Sequence, residues 1–283
     1  MNKIALKINA QKDKDLSLAK AVLKQLRAFC EKIFVEDTYR DLLGDGVYPY
    51  SEDCFPEEAE LLLILGGDGT MLHAAQAAVK NSVPMLGVNM GRVGYLASVE
   101  CSELSQLSRL AQDDFYEKEH MMLRVSVGKQ TGEDILLGYA LNDVVVDGKG
   151  HLADIRLYDA AHYLDYRADG LIVATPTGST AYSFSAGGPV MDEGMQAICV
   201  TPVCPRSFFS RSLLFAPDSL LRVENTGVRG GALDVSLDGH THMPLAYGES
   251  VFVSRCEKSV RILTLKERNL LEVLCTKMGT RHF

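Results

Sequence analysis

The sequence predicts an α/β domain followed by an all-β domain and a closing helix. Three observations carry this prediction: an apolar run over 61–65 stopped at once by glycines, strand and helix patterns alternating on either side of it, and a change after about residue 120 to many short β-branched segments. A strand covered on both faces of a parallel sheet reads as such a continuous run. Short strands separated by turn residues read as an antiparallel β domain.

Taken in order, residues 3–8 form a strand, and Leu16, Ala19, Val22, Leu23 and Leu26 recur at helical spacing. Ile33, Phe34 and Val35 supply the next strand, and a loop rich in Asp, Gly and Pro leads to the run at 61–65. The pattern over 70–80 is helical, Pro84 breaks it, and 85–88 is a short apolar run closed by the loop 89–94. This is a βαβ unit, whose ligand is expected at the carboxyl ends of its strands. Further strands are expected at 123–127, 144–146, 155–157, 171–173, 220–223, 233–237, 251–253 and 262–265, and a terminal helix over 266–278 with Leu270, Leu271, Val273 and Leu274 on one face.

At 283 residues the chain has room for two modest domains, and 47% hydrophobic with 23% charged residues is ordinary globular composition. A formal net charge of −8 and the lack of any dense Lys/Arg run argue against nucleic acid as a partner. No window approaches the ~18 apolar residues of a membrane span, and the N-terminal stretch lacks a signal-peptide pattern. The expectation is a cytoplasmic protein with no membrane partner. Seven cysteines, odd in number and without a C-x-x-C pair, are expected to be small buried hydrophobes in a reducing compartment.

Gly66-Gly67-Asp68-Gly69-Thr70 lies between the buried strand and a helix. Its glycines let main-chain N–H groups approach a polyphosphate, and the helix N-terminus adds a favourable dipole. Asp68 would repel a bare phosphate, so its presence points to proton abstraction from an attacking hydroxyl or to metal capture. The competing reading is a tight turn with Asp68 as a helix N-cap. No G-K-[ST] follows, so this is not a Walker A loop.

Residues 169–189, DGLIVATPTGSTAYSFSAGGP, run from an apolar strand into small, hydroxyl-bearing residues. Thr175, Thr177, Ser179, Thr180, Ser183 and Ser185 offer donors and acceptors, Gly178 and Ala181 keep the backbone accessible, and Tyr182 offers a ring. An ordinary turn has no need of so long a polar stretch.

Together with NMGRVGYL (89–96), ALNDVVV (140–146), TPVCPRSFFSR (201–211) and SLDGH (236–240), these motifs resemble the NAD kinase family, in that family's order and over roughly residues 60–240. The first motif alone is shared with diacylglycerol, sphingosine and phosphofructo-kinases; the TPTGSTAY block is the specific one. The resemblance implies a Rossmann-like N-terminal α/β domain (1–104), a C-terminal β-sandwich domain (105–265) that binds NAD, and a terminal helix (266–283) returning to the first domain. It also implies transfer of the γ-phosphoryl group of ATP to the 2′-hydroxyl of the adenosine ribose of NAD, with a divalent metal ion such as Mg²⁺.

Carried over residue by residue, Asp68 matches the family's catalytic aspartate. Gly66, Gly67, Gly69, Thr70 and His73 fall on the glycine loop and the helix start that meet the nucleotides. Asn142 and Asp143 match the pair holding the adenosine half of NAD; read from sequence alone, they are equally a turn or strand-end cap. Arg167 and Asp169 match positions on the nicotinamide side. Thr180, Ala181, Tyr182, Ser183, Phe184 and Ser185 match the central NAD-binding segment, and His240 a further ligand contact. Because related enzymes complete this site with a neighbouring subunit, the resemblance implies a homodimer or homotetramer.

Two departures stand out: Arg206 replaces a common histidine, and a frequent proline after the GGP turn is missing from VMDEGMQ (190–196). The rival functions are a lipid kinase sharing the glycine loop and a dinucleotide sensor without catalysis. The hydroxyl-rich segment argues against the first, and retention of Asp68 against the second.

Overall fold

The computed structural model describes residues 1–51, 53–91, 94–128, 134–206, 210–227, 231–267 and 269–278. They fall into two units, Met1–Glu119 with Val260–Phe283, and His120–Ser259.

In the first unit the strand order is Tyr48–Tyr50, Lys32–Glu36, Lys3–Ile8, Leu61–Gly66, Met85–Asn89, Val260–Thr264 and Tyr116–His120, with Val99–Glu100 also paired to Met85–Asn89. The pairs from the first of these strands through Val260–Thr264 are parallel. Chain order runs outward from Lys3–Ile8 in one direction and resumes with Leu61–Gly66 in the other, so the topological switch point lies between these two strands, where α/β sheets bind ligands. Leu61, Leu63 and Leu65 are buried with Ala19, Val22 and Leu23 of the helix Ser17–Leu26, as the helical spacing predicts. The helix Asp68–Asn81 packs on Leu61–Gly66 through a buried face of Met71, Ala74, Ala75, Ala78 and Val79. Burial of each large apolar side chain stabilises the layer by about 1.5–3 kcal/mol.

The 3₁₀ helix Cys101–Gln112 places Leu107 and Leu110 in this same core. A division at 104/105 therefore falls inside an element of the first unit. The closing helix spans Leu270–Met278, starting later than periodicity suggests because the Asn269 side chain accepts the Glu272 N–H at 2.8 Å and caps the helix there. Leu271 does not share a buried face with its neighbours, being 72% exposed, and the Val273 side chain lies outside the described residues.

The second unit is a sandwich of two antiparallel six-stranded sheets. One has the order Leu213–Phe215, Ile198–Val203, Gly170–Ala174, Asp143–Asp147, Leu233–Leu237, Thr241–Leu245; the other has the order His162–Ala168, Ala153–Asp159, Leu221–Asn225, Ser250–Arg255, Leu123–Gly128, Asp134–Ala140. Val144, Val146, Leu171, Val173 and Val235 of the first sheet meet Val125, Ile155, Leu157, Val223, Val251 and Val253 of the second in one core. Alternation sends Asp143, Val145 and Asp147 to the opposite face. There Val145, Ile172, Ala174 and Cys199 pack with Met191, so the stretch containing the TPTGSTAY block covers the first sheet's outer surface.

The expectation that the cysteines are buried holds for Cys199 and Cys256 only. Cys54, Cys101 and Cys204 are exposed, and none of the seven is paired in a disulfide.

Candidate functional site

In the first unit the site forms where Lys3–Ile8 and Leu61–Gly66 end side by side, Ile8 opposite Leu65. Asn9 continues the pairing by donating its backbone N–H to Leu65 O. Its side chain donates to Thr70 Oγ1 at 2.9 Å, while its Oδ1 accepts the N–H groups of Gln11 and Lys12. The loop after the first strand is thus laced to the glycine loop, with the Lys12 ammonium above it: a Cβ on Gly67 would lie 2.9 Å from Lys12 Nζ. Gly66 is equally constrained, since a Cβ there would lie 2.3 Å from Thr70 Oγ1.

Asp68 is the first residue of its helix, but the N-cap position is Gly67 and no side chain caps the helix. The Asp68 carboxylate instead accepts three backbone N–H groups from the NMGRVGYL stretch and its continuation: Tyr95 to Oδ2 at 2.7 Å, and Leu96 and Ala97 to Oδ1 at 3.0 and 3.3 Å. A Cβ on Gly94 would lie 2.2 Å from Asp68 Oδ1. Two motifs separate in sequence therefore build one carboxylate site, which settles the N-cap reading against the cap; Arg92 and Val93 of the second motif lie outside the described residues. Gly69 and His73 are exposed on the first turns of the helix.

In the second unit the loop before Asp143–Asp147 rests on Asp238. Its carboxylate accepts the N–H groups of Leu141, Asn142 and Asp143 at 2.8, 2.8 and 3.0 Å. Asp238 and Gly239 take up left-handed backbone at φ 48° and 70°, the conformation a tight hairpin turn requires. His240 closes that turn, its Nδ1 hydrogen-bonded to Asp238 O and its ring exposed. Thr175 ties the same loop from the other side, donating through Oγ1 to Leu141 O and accepting the Gly178 N–H. Gly178 has no room for a side chain, because a Cβ would lie 2.0 Å from Asn142 O.

Asp143 is only 5% exposed, and burial, reinforced by the negative charge of Asp238, pushes its carboxyl up to about 7. Burial raises Asp238 as well, against the pull of its three amide donors. Asn142 is partly exposed beside them.

Along 180–185, Tyr182 and Phe184 present exposed rings, Ser185 is exposed, and Thr180 and Ala181 are half-buried. Burial, then the charges of Asp147, Asp169 and Asp143 among others, raise the Tyr182 hydroxyl, so these three carboxylates share its surroundings. Ser183 differs from its neighbours: it is fully buried, with its hydroxyl 3.1 Å from Thr201 Oγ1. Asp169 is exposed, whereas Arg167 points across its own strand pair to Asp154 at 3.6 Å. Arg206, the departure noted above, donates its backbone N–H to Arg167 O.

Sequence reasoning missed Asn9, Lys12 and Asp238. Asn9 and Lys12 lie in a polar loop of unremarkable composition, and only the switch-point rule applied to the strand before them points there. Asp238 stands in the SLDGH motif, where nothing local points to the three amides that it holds.

Family models for the ATP-NAD kinase N-terminal domain and C-terminal domain match residues 4–115 and 141–265. An NAD kinase from a Thermoanaerobacter species is 32% identical over 99% of this chain and 100% of its own length. The chain belongs to the NAD kinase family. An NAD kinase from Ectopseudomonas mendocina is 37% identical over 87% of this chain and 85% of its own. Among solved structures, an Archaeoglobus fulgidus NAD kinase in complex with ATP superposes with a TM-score of 0.73 at 25% identity, covering 97% of this chain and 99% of that one. A yeast NADH kinase complexed with NADH shares the fold, with a TM-score of 0.84 at 22% identity over 99% of this chain and 88% of that one.

As a member of the NAD kinase family the chain is a phosphotransferase acting on NAD, and the Rossmann-like and β-sandwich expectations agree with the sheets observed. No group of three or more His, Cys, Asp or Glu side chains able to hold a metal ion occurs among the described residues, nor does a helix long and apolar enough to cross a membrane.

Proposed function

We propose that this chain transfers the γ-phosphoryl group of ATP to the 2′-hydroxyl of the adenosine ribose of NAD, giving NADP and ADP. The single observation that carries the reading is the Asp68 carboxylate, held by three backbone amides beside the glycine loop. Phosphoryl transfer relies on positioning and charge neutralisation. The amides of the glycine loop, the helix N-terminus and Lys12 would hold the triphosphate. Asp68 would accept the proton of the attacking hydroxyl.

Asn142, Asp143, Asp169, Thr180, Ala181, Tyr182, Phe184, Ser185 and His240 are the residues we assign to the dinucleotide. Ser183 shapes the segment from inside. A divalent ion such as Mg²⁺ neutralises triphosphate charge when bound. Such an ion usually keeps several waters and is held largely through the substrate phosphates, so it places no demand for a larger acidic cluster on the chain. We place the enzyme in the cytoplasm as a homodimer or homotetramer.

The test is NADP formation from NAD and ATP with Mg²⁺, with diacylglycerol and sphingosine as competing acceptors. Phosphorylation of a lipid, or dinucleotide binding with no product, would replace this reading by one of its rivals.

A further inference from the structure

One buried imidazole bridges the two ends of the hydroxyl-rich segment. His120, the last residue of the strand Tyr116–His120 and the point at which the second unit begins, is 3% exposed. Its Nδ1 lies 2.9 Å from Thr177 Oγ1, and its Nε2 lies 3.6 Å from Glu193 Oε2. Thr177 opens the 3₁₀ turn Thr177–Thr180, and Glu193 lies just past the GGP turn, in the stretch that departs from the family's pattern. Between them, Ser179 Oγ donates to Pro176 O at 2.6 Å and accepts the Met191 N–H at 2.9 Å. The stretch is therefore a loop drawn closed at its base, with the Tyr182 and Phe184 rings displayed from its middle.

We infer that His120 is a positioning residue for the dinucleotide, acting through Thr177 and Glu193 to hold this loop in its binding shape before NAD arrives. The inference rests on the assignment of 180–185 to NAD. Ordering a loop on binding costs affinity, and a loop already ordered spares that cost. The bound dinucleotide and the transition state gain equally, so the effect belongs in KM for NAD and leaves kcat alone. A buried Thr177 hydroxyl deprived of its partner would also favour looser arrangements of the turn.

The experiment compares His120→Leu, His120→Asn and Thr177→Val with the parent, at a temperature where all are folded. His120→Leu removes both contacts, His120→Asn keeps a polar atom near the position of Nδ1, and Thr177→Val removes the hydroxyl alone. We expect KM for NAD to rise about tenfold in His120→Leu and Thr177→Val, as the loss of one ordinary hydrogen bond implies. His120→Asn should recover most of the loss, with kcat and KM for ATP within twofold throughout. Thr177→Val carries the test alone if His120→Leu does not fold.

Melting temperatures that fall while KM for NAD stays constant would overturn the inference and leave His120 a purely structural residue. Tyr182→Ala separates the two levels of the argument. If it raises KM for NAD and the His120 and Thr177 variants do not, only the inference fails; if it too has no effect, the assignment of the segment to NAD fails with it.

Discussion

Gly94 is packed so closely against Asp68 that a methyl group on it would lie 2.2 Å from Oδ1. Neither residue's neighbours in sequence suggest this contact. Gly94→Ala should displace the carboxylate while leaving the three glycines of the loop unchanged. A shift of about 1 Å in a reacting group costs on the order of 10²-fold, so kcat should fall by that order while KM for ATP changes little. Steady-state kinetics on a variant shown to fold by circular dichroism check this; a kcat within threefold of the parent would mean that Asp68 need not be held where it is.

Asp68→Asn is a harsher test than its shape suggests. The amide keeps an acceptor for some of the three N–H groups but turns its own NH₂ toward the rest. Loss of the base should lower kcat by about 10²–10⁴, and the mismatched donor should cost about 1–3 kcal/mol of stability. The Gly67 cap position is untouched, so any fall in melting temperature reports on the contacts with Tyr95, Leu96 and Ala97. Retention of more than about a tenth of parental kcat, outside the range expected for a general base, excludes Asp68 from that role.

Lys12→Met keeps most of the side chain's length while removing the ammonium above Gly67. A hydrogen bond from a charged group is worth about 1.5–3 kcal/mol, which corresponds to a rise of roughly 10- to 100-fold in KM for ATP. KM for NAD should stay put, and Lys12→Arg should restore part of the loss. Equal weakening of both substrates would show that the loop is merely disordered by the change.

The Asp143 carboxyl, pushed up to about 7, makes the stability of the second unit depend on pH. Because the native group holds its proton more tightly than the unfolded one, its contribution is complete below about pH 4 and is lost as pH rises through about 7. Asp143→Asn removes this contribution. The stability of parent relative to variant should therefore fall between pH 4 and 8, by about 2–4 kcal/mol. Denaturant unfolding of both proteins across that range measures it; a constant difference would show that Asp143 titrates alike in native and unfolded chains.

Much of the fold was legible because local pattern and burial coincide. The run at 61–65 is buried on both faces, and the valines at 144–146 and the alternating 233–237 are strands as expected. The strands that escaped notice lack that coincidence. Tyr116–His120 and His162–Ala168 are mostly exposed and polar, and Ile198–Val203 and Thr241–Leu245 each carry a proline that reads as a breaker. The late start of the closing helix depended on a single asparagine cap.

The sequence by itself determined the order of the two domains, the glycine loop, the hydroxyl-rich segment and, through its motifs, the family, since each is a property of contiguous residues. Only the tertiary structure decided what holds those motifs in place. Asp68 is oriented by amides 27 to 29 residues away, the Asn142 loop by a carboxylate 96 residues away, and Thr177 by an imidazole 57 residues away. Such pairings leave no trace in local periodicity, because the buried polar groups find their partners only when distant segments pack.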